Sequence, residues 1–396
     1  PLFSSRNLMI FPAHFQSGGS RKGQRVMTPR VPQTAVSRWR QRPYSKARLT
    51  LLSLSIATAP LVSTCRVDPS LEQTVSVENI ALYQGQDRED RFLSGAKAEK
   101  EVTLYTSLPL DDAMPVAKAF EDKYRGVKVN IWRAQSKNIT QRIITEAQAG
   151  RFDFDVVETN GLDLEALHLE RLLQQVESPH QEALMPRAVP AHREWVGTRL
   201  NIFVQAYNTD QVSKQDLPGT YQDLLDSRWR GRLGIESGDP EWFATIVGEL
   251  GEQKGVELFR QIVATNGLSV RTGHTLLINL VASGEIPLTL TAYQSIAEKS
   301  KEKGAPIEWF VIPPLVVRPN GVAVSRRAPH PHAALLFYDF MLTEAQEILR
   351  QRNRIPARQE MNATLNETPL KFIDIPGFLD QSQKWVELYE EIIISQ

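Results

Sequence analysis

Tyr293 ends the run PLTLTAY and stands just before the helix-like SIAEKSKEKG. At that junction it is either a ligand-binding hydroxyl or a half-buried aromatic with a wet tip. Other residues with usable chemistry sit at similar junctions. Thr106 and Ser107 follow the strand-like VTLY and precede a helical pattern. They cap that helix, or join its first amides in holding an anion. Thr159 and Asn160, after FDFDVVE, carry the same two readings. Ser237, Asp239 and Trp242 follow the strand-like RLGIE. Asp239 precedes Pro240, as an N-cap does, and Trp242 either stacks on a ligand or packs as core. Thr272 and His274 open a helix at the end of GLSVRT, with His274 a cap or a ligand. These ten residues are the expected ligand set. His330 and His332 flank Pro331 in a turn with no cysteine nearby to complete a zinc site. No metal ligand is assigned and no cofactor is expected.

The elements that hold these residues alternate. VTLYTS (102–107) reads as a strand, and DAMPVAKAFEDKY as a helix with Val116, Phe120 and Tyr124 on one face. VKVNIW is a strand, NITQRIITEAQAG a helix ending on Gly150, FDFDVVET a strand and LDLEALHLERLL a helix. That β-α-β-α order implies a parallel sheet covered on both faces, with ligands bound at the carboxyl ends of the strands. A second block follows the strand LNIFVQAYNT (200–209). It contains the loop-helix YQDLLDSRW, the strand RLGIES, a helix around WFATIVGELG, the strand GLSVRT, the helix HTLLINLVASGE and the strand PLTLTAY. The pattern returns to a strand in NGVAVSR (320–326) and a helix in AALLFYDFML. No short fixed repeat is present, so the chain is not a solenoid.

The sequence ahead of this body has a different character. Its first fifty residues hold ten Lys or Arg and no acid; Met27 is the expected start. The uncharged run Leu49–Val62 follows, and then Cys65, the only cysteine. A basic stretch, a short apolar core and small residues are the layout of a secretory signal. Fourteen residues of helix reach about 21 Å, short of a hydrocarbon core of about 30 Å. Val62-Ser63-Thr64-Cys65 resembles the bacterial lipoprotein box, with Thr64 a departure from the usual Gly or Ala. The resemblance implies a lipid anchor on Cys65. From Arg66 onward the chain carries 36 basic and 46 acidic residues. An acidic body argues against nucleic acid as a partner. It also holds no thiol for catalysis, and G-x-S-x-G, H-E-x-x-H and G-x-x-x-x-G-K-[ST] are all absent.

Several stretches, in order, carry a resemblance over roughly residues 101–358. They are VTLYTSLPLDDAMPVAKAFEDKY, the strand ending AYNTD, YQDLLDSRWRGRLGIESG, LVASGEIPL, EKGAPIEWFVIPP and RRAPHPHAALLFYDFMLTEAQEIL. They resemble the bacterial extracellular solute-binding proteins of ABC importers, of the ferric-iron-binding type (periplasmic binding protein type II). The resemblance implies two α/β lobes joined by crossing strands near 200–209 and 312–322, closing over a small-molecule ligand. It places the first lobe at 99–203, completed by about 318–350, and the second at 204–317, completed by about 351–396. Residues 66–98 are then a polar tether after a signal-bearing segment 1–65. The implied protein is an exported monomer, not an enzyme, with ABC permease subunits as partners. Iron-binding members use two adjacent tyrosines, a histidine and an acid. The tyrosine pair falls here on Ala292-Tyr293, the histidine near Leu108-Pro109 and the acid near Asn160, with Glu158 close. The missing ligands favour a small organic or phosphorylated anion as cargo, with ferric iron or a ferric chelate as the alternative and ligand sensing by the same fold as a further one.

Overall fold

The computed structural model describes residues 76–362 and 369–395. The run Leu49–Val62, Cys65 and the start of the expected tether lie outside them. From residue 76 the chain is no tether. It forms α1 (Val77–Ile80) and α2 (Arg88–Glu99), with Phe92 and Ala96 of α2 buried. The reason is the segment AALLFYDFML. It forms α10 (Pro331–Leu342), in which every residue except His332 is buried. A helix apolar all round needs cover on both sides. The sheet covers one side and α2 the other. Arg88 ties the two helices, its Nε 2.6 Å from Asp339 Oδ2.

The first lobe then runs β1 (Glu101–Thr106), α3 (Leu110–Lys123), β2 (Lys128–Arg133), α4 (Ser136–Gln148), β3 (Val156–Asn160) and α5 (Gly161–Leu169). Strand β1 lies between β2 and β3, parallel to both. Val116, Phe120 and Tyr124 are buried, as their spacing predicts. Gly150 takes φ +73° just beyond α4, the left-handed turn that ends such helices. The stretch FDFD does not join the strand. Asp155 instead accepts from the Thr103 and His330 backbone N–H groups, each at 2.7 Å, so its side chain ties β1 to the turn before α10.

After the short β4 (Leu173–Gln174) comes β5 (Val196–Asn208), buried along its whole length. The second lobe holds β6 (Leu233–Glu236), α6 (Pro240–Leu250), α7 (Glu252–Asn266), β7 (Ser269–Arg271), α8 (His274–Ala282), β8 (Leu288–Tyr293), α9 (Gln294–Glu302) and β9 (Ile307–Phe310). YQDLLDSRW makes two short 3-10 turns rather than a full helix. The chain returns to the first lobe through β10 (Leu315–Ser325), then α10 and α11 (Glu344–Arg350). It ends with β11 (Ile355–Pro356), β12 (Leu370–Phe372), α12 (Ile375–Asp380) and α13 (Ser382–Tyr389). Strand order is β2-β1-β3-β10-β5-β8-β6-β7. Residues 196–202 of β5 pair with β10, and residues 203–208 pair with β8 and β9, so β5 itself crosses between lobes. The tail is shared. β11 pairs with β5 and β12 with β10, while α13 packs on α6 of the second lobe. Among the described residues no helix is long and apolar enough to cross a membrane.

Candidate functional site

Among the described residues, the crossing strands carry an unusual set of buried polar side chains. Strands buried on both faces are normally apolar throughout. Here β10 sets Arg318 opposite Asn201 of β5, and Asn320 opposite Arg199. Residues directly opposite in an antiparallel pair share a face, so these four side chains lie together. β3 extends the strip, because Asn160 faces Asn320 and Glu158 lies two residues before it. β8 extends it on the other side, with Tyr293 opposite Phe203.

On the first-lobe side the strip is a hydrogen-bonded chain. Thr106 Oγ1 donates to Glu158 Oε2 at 2.6 Å and accepts from the Leu108 N–H at 3.0 Å. Arg199 Nη2 lies 3.2 Å from Glu158 Oε1, and Arg199 Nη1 donates to Asn201 Oδ1 at 3.1 Å. Asn201 in turn donates to Asn320 Oδ1 at 2.6 Å. Burial pulls the Arg199 guanidinium below its usual pKa; the Glu158 carboxylate opposes this, and the nearby cations Arg354 and Arg318 add to it. Arg199 keeps one donor, Nε, buried with no protein acceptor.

The second-lobe side gathers acids around Arg318. Its Nη1 donates to Glu241 Oε1 and lies 3.5 Å from Asp239 Oδ1. His274 Nε2 approaches the same Asp239 oxygen at 3.4 Å. The His274 ring lies against Tyr293, with centroids 3.7 Å apart, and the Arg318 guanidinium stands 5.3 Å from the Tyr293 centroid. Glu236 closes the group from the end of β6. Its carboxylate accepts from the Gly273 N–H at 2.8 Å and from the Gly238 N–H. Gly273 has φ +105°, a conformation that favours glycine, and this turn aims its N–H at the carboxylate. Burial raises the pKa of both Glu236 and Glu241, with the Asp239 charge adding to each. Asp239 Oδ2, His274 Nδ1, the Tyr293 hydroxyl and Arg318 Nε are all buried without a protein partner. Four such atoms in one contact group make this the candidate site, since buried polar groups are otherwise satisfied. Ligand atoms of Glu236, Asp239 and His274 lie within 4.8 Å of one another, so the group has the spacing to hold a cation.

The structure thus brings Tyr293, His274 and Asp239 together, with Thr106 and Asn160 on the adjoining strip. Asp239 precedes α6 but makes no side-chain cap bond, being turned to Arg318 and His274 instead. Asn160 caps α5 through the Asp163 N–H at 2.9 Å. Strand alternation puts Thr159 on the other face of β3. Ser107 donates its backbone N–H to the Glu158 carbonyl. Ser237 and Thr272 bond each other at 2.9 Å across the ends of β6 and β7, in an exposed position. Trp242 lies in the core against Tyr221 and Phe259. Sequence reasoning missed Arg199, Asn201, Arg318, Asn320, Glu236 and Glu241. A signal existed for four of them: charged or amide residues two apart, at 199 and 201 and at 318 and 320, inside mainly apolar strands.

The model of the family described as bacterial extracellular solute-binding protein matches residues 116–371. Iron uptake protein A1 of Synechocystis is 27% identical over 275 residues, 64% of this chain and 75% of that one. The Fe(3+)-binding periplasmic protein of Serratia marcescens is 24% identical over 286 residues, 68% of this chain and 83% of that one. Among solved structures, iron-bound HitA from Pseudomonas aeruginosa superposes with a TM-score of 0.64 at 25% identity, covering 74% of this chain and 99% of HitA. AfuA from Actinobacillus pleuropneumoniae, solved with fructose-6-phosphate, gives 0.65 at 22% identity, covering 74% of this chain and 98% of AfuA, a likeness of fold. The match over most of the body, on two α/β lobes with β5 crossing between them, settles the family: this chain is a bacterial extracellular solute-binding protein.

Proposed function

We propose that this chain captures a small solute outside the cytoplasm and delivers it to the permease of an ABC importer, and that the solute is an organic or phosphorylated anion. The observation that carries the reading is the pair of buried guanidiniums, Arg199 and Arg318, each with an unpartnered Nε, on one face of the crossing strands. Charged donors held dry and aimed by their own ion pairs suit an oxyanion. Tyr293 adds an unpartnered hydroxyl. A bare trivalent cation meets a poorer site: Arg318 stands beside Tyr293, Ala292 supplies no second phenolate, and Leu108 is apolar.

Ferric iron, free or chelated, is the second reading. It is favoured by the Glu236, Asp239 and His274 group and by relatives named for iron. Mass spectrometry of the solute that co-purifies with the chain, followed by titration with ferric citrate, separates the two. The expected result is an organic anion and no intense visible band. Tyr293→Phe then weakens binding of that solute by about 0.5–1.5 kcal/mol. An intense band in the wild type that vanishes in Tyr293→Phe restores iron as cargo.

Cys65 is the proposed lipid-anchor site, and export is expected to precede it. Fractionation of Cys65→Ala beside the wild type in a bacterial host tests this. Equal membrane partition of the two rejects the anchor.

A further inference from the structure

A second group of metal-ligating side chains lies away from the crossing strands, on the first lobe. α5 presents Glu165 and His168 three residues apart, and so on one helix face. The loop leading into β5 brings His192 and Glu194 against them. The two imidazoles lie face to face, with centroids 3.8 Å apart and planes 12° from parallel. Glu165 Oε2 accepts from Trp195 Nε1 at 2.8 Å and lies 3.1 Å from His192 Nε2. The Glu194 N–H donates to His192 Nδ1 at 3.0 Å, which puts that ring's proton on Nε2, toward Glu165. On the other side His168 Nδ1 lies 2.9 Å from Glu194 Oε2, yet both atoms are buried without a hydrogen bond. None of these groups belongs to the strip proposed above to hold the solute.

Donor atoms of Glu165, His168 and His192 lie within 4.8 Å of one another. An ion with bonds of about 2.0–2.2 Å closes that span by small side-chain rotations. We propose that Glu165, His168 and His192, with Glu194 as a further carboxylate, bind one divalent transition ion of the zinc or copper class. Imidazole and carboxylate donors suit both ions. The side chains of His168 and His192 are 24% and 22% exposed, which leaves the stacked rings room to splay toward one ion. Coordination by His192 Nε2 moves that ring's proton to Nδ1, so the Glu194 N–H gives up its acceptor and the loop shifts. The ion then pins this loop to α5 at the root of β5.

The test uses the full chain, stripped with chelator, titrated calorimetrically with ZnCl2 and then with CoCl2 while the visible spectrum is recorded. His168→Gln, His192→Gln and, from the second-lobe group, His274→Gln are compared, with thermal unfolding of each metal-free variant as a check on folding. His274→Gln, which lacks the second-lobe imidazole, is expected to keep one ion per chain. At least tenfold weaker binding is expected in His168→Gln and in His192→Gln. Co2+ bound to the wild type should give the visible bands of a nitrogen-ligated ion, a readout that needs no variant. Absence of those bands overturns the proposal. So does binding that survives in both first-lobe variants, or that is lost only in His274→Gln.

Discussion

Arg318 is the central residue of the candidate site. It is buried, it faces Glu241 and Asp239, and its guanidinium lies over the rings of Phe203 and Tyr293. Removing one partner of a buried pair strands the other's charge, at a cost of about 3–5 kcal/mol. Arg318→Met, which keeps the apolar stem, is therefore expected to lose stability of that order in urea unfolding. A loss below about 0.5 kcal/mol, typical of surface changes, would mean that the acids are neutral without it. His330 gives a second residue-scale expectation, in pH. Its Nδ1 lies 2.9 Å from Asp155 Oδ2, and that hydrogen bond raises the imidazole pKa against the opposing effect of burial. The folded value is thus above the unfolded one. The stabilisation is fully present below the ordinary histidine pKa of about 6.5 and is lost as pH rises through the raised value. Urea midpoints of the wild type minus those of His330→Gln should fall across that window. A flat difference would show that the pair does not contribute.

At the scale of elements, the N-terminal helices are where the fold departs from its sequence reading. The segment 66–98 has few apolar anchors, and that low density reads as tether. Yet Phe92 is fully buried in α2 against α10. Phe92→Ala is expected to destabilise the protein by about 3–5 kcal/mol, the range for large-to-small changes in a core. In a tether the same change would alter the melting midpoint hardly at all. The clue was in the partner rather than in the segment: a helix as uniformly apolar as AALLFYDFML needs cover all round, and its sequence neighbours β10 and α11 supply only part of it. Strands and helices of the first lobe were legible because each is short, periodic and bounded by turns. The strip Arg199, Asn201, Arg318 and Asn320 was harder to read, because its members meet only through the pairing of strands over a hundred residues apart. Tyr293, His274 and Asp239 were legible singly as strand-end residues. Their mutual contact depends on the sheet order, which no local pattern carries.

For the whole molecule, the two lobes are joined by β5, by the link from β9 to β10 and by the shared tail, connections that favour bending as their relative motion. A buried ionic tie also spans them. Asp112 of α3, in the first lobe, has no exposed surface and lies 2.7 Å from both Arg352 Nε and Arg354 Nη2. Arg354 Nη1 also donates to Ser295 Oγ of α9, in the second lobe, at 3.0 Å, and Lys299 of α9 lies 3.8 Å from Asp112. Bending that parts α3 from α9 must stretch these contacts. The tie therefore favours the arrangement seen here, and a solute touching both lobes adds to that preference by binding it more tightly. The double variant Ser295→Ala, Lys299→Ala removes the second-lobe half of the tie without leaving Asp112 unpaired, since both arginines remain. Its solute-free radius of gyration in small-angle scattering should exceed that of the wild type. Saturation with the co-purified solute should bring both to one smaller value, and the variant should bind more weakly because closing it consumes more of the binding energy. Identical scattering from wild type and variant, with and without solute, would mean that the lobes do not move, and capture would then need an opening elsewhere in the molecule.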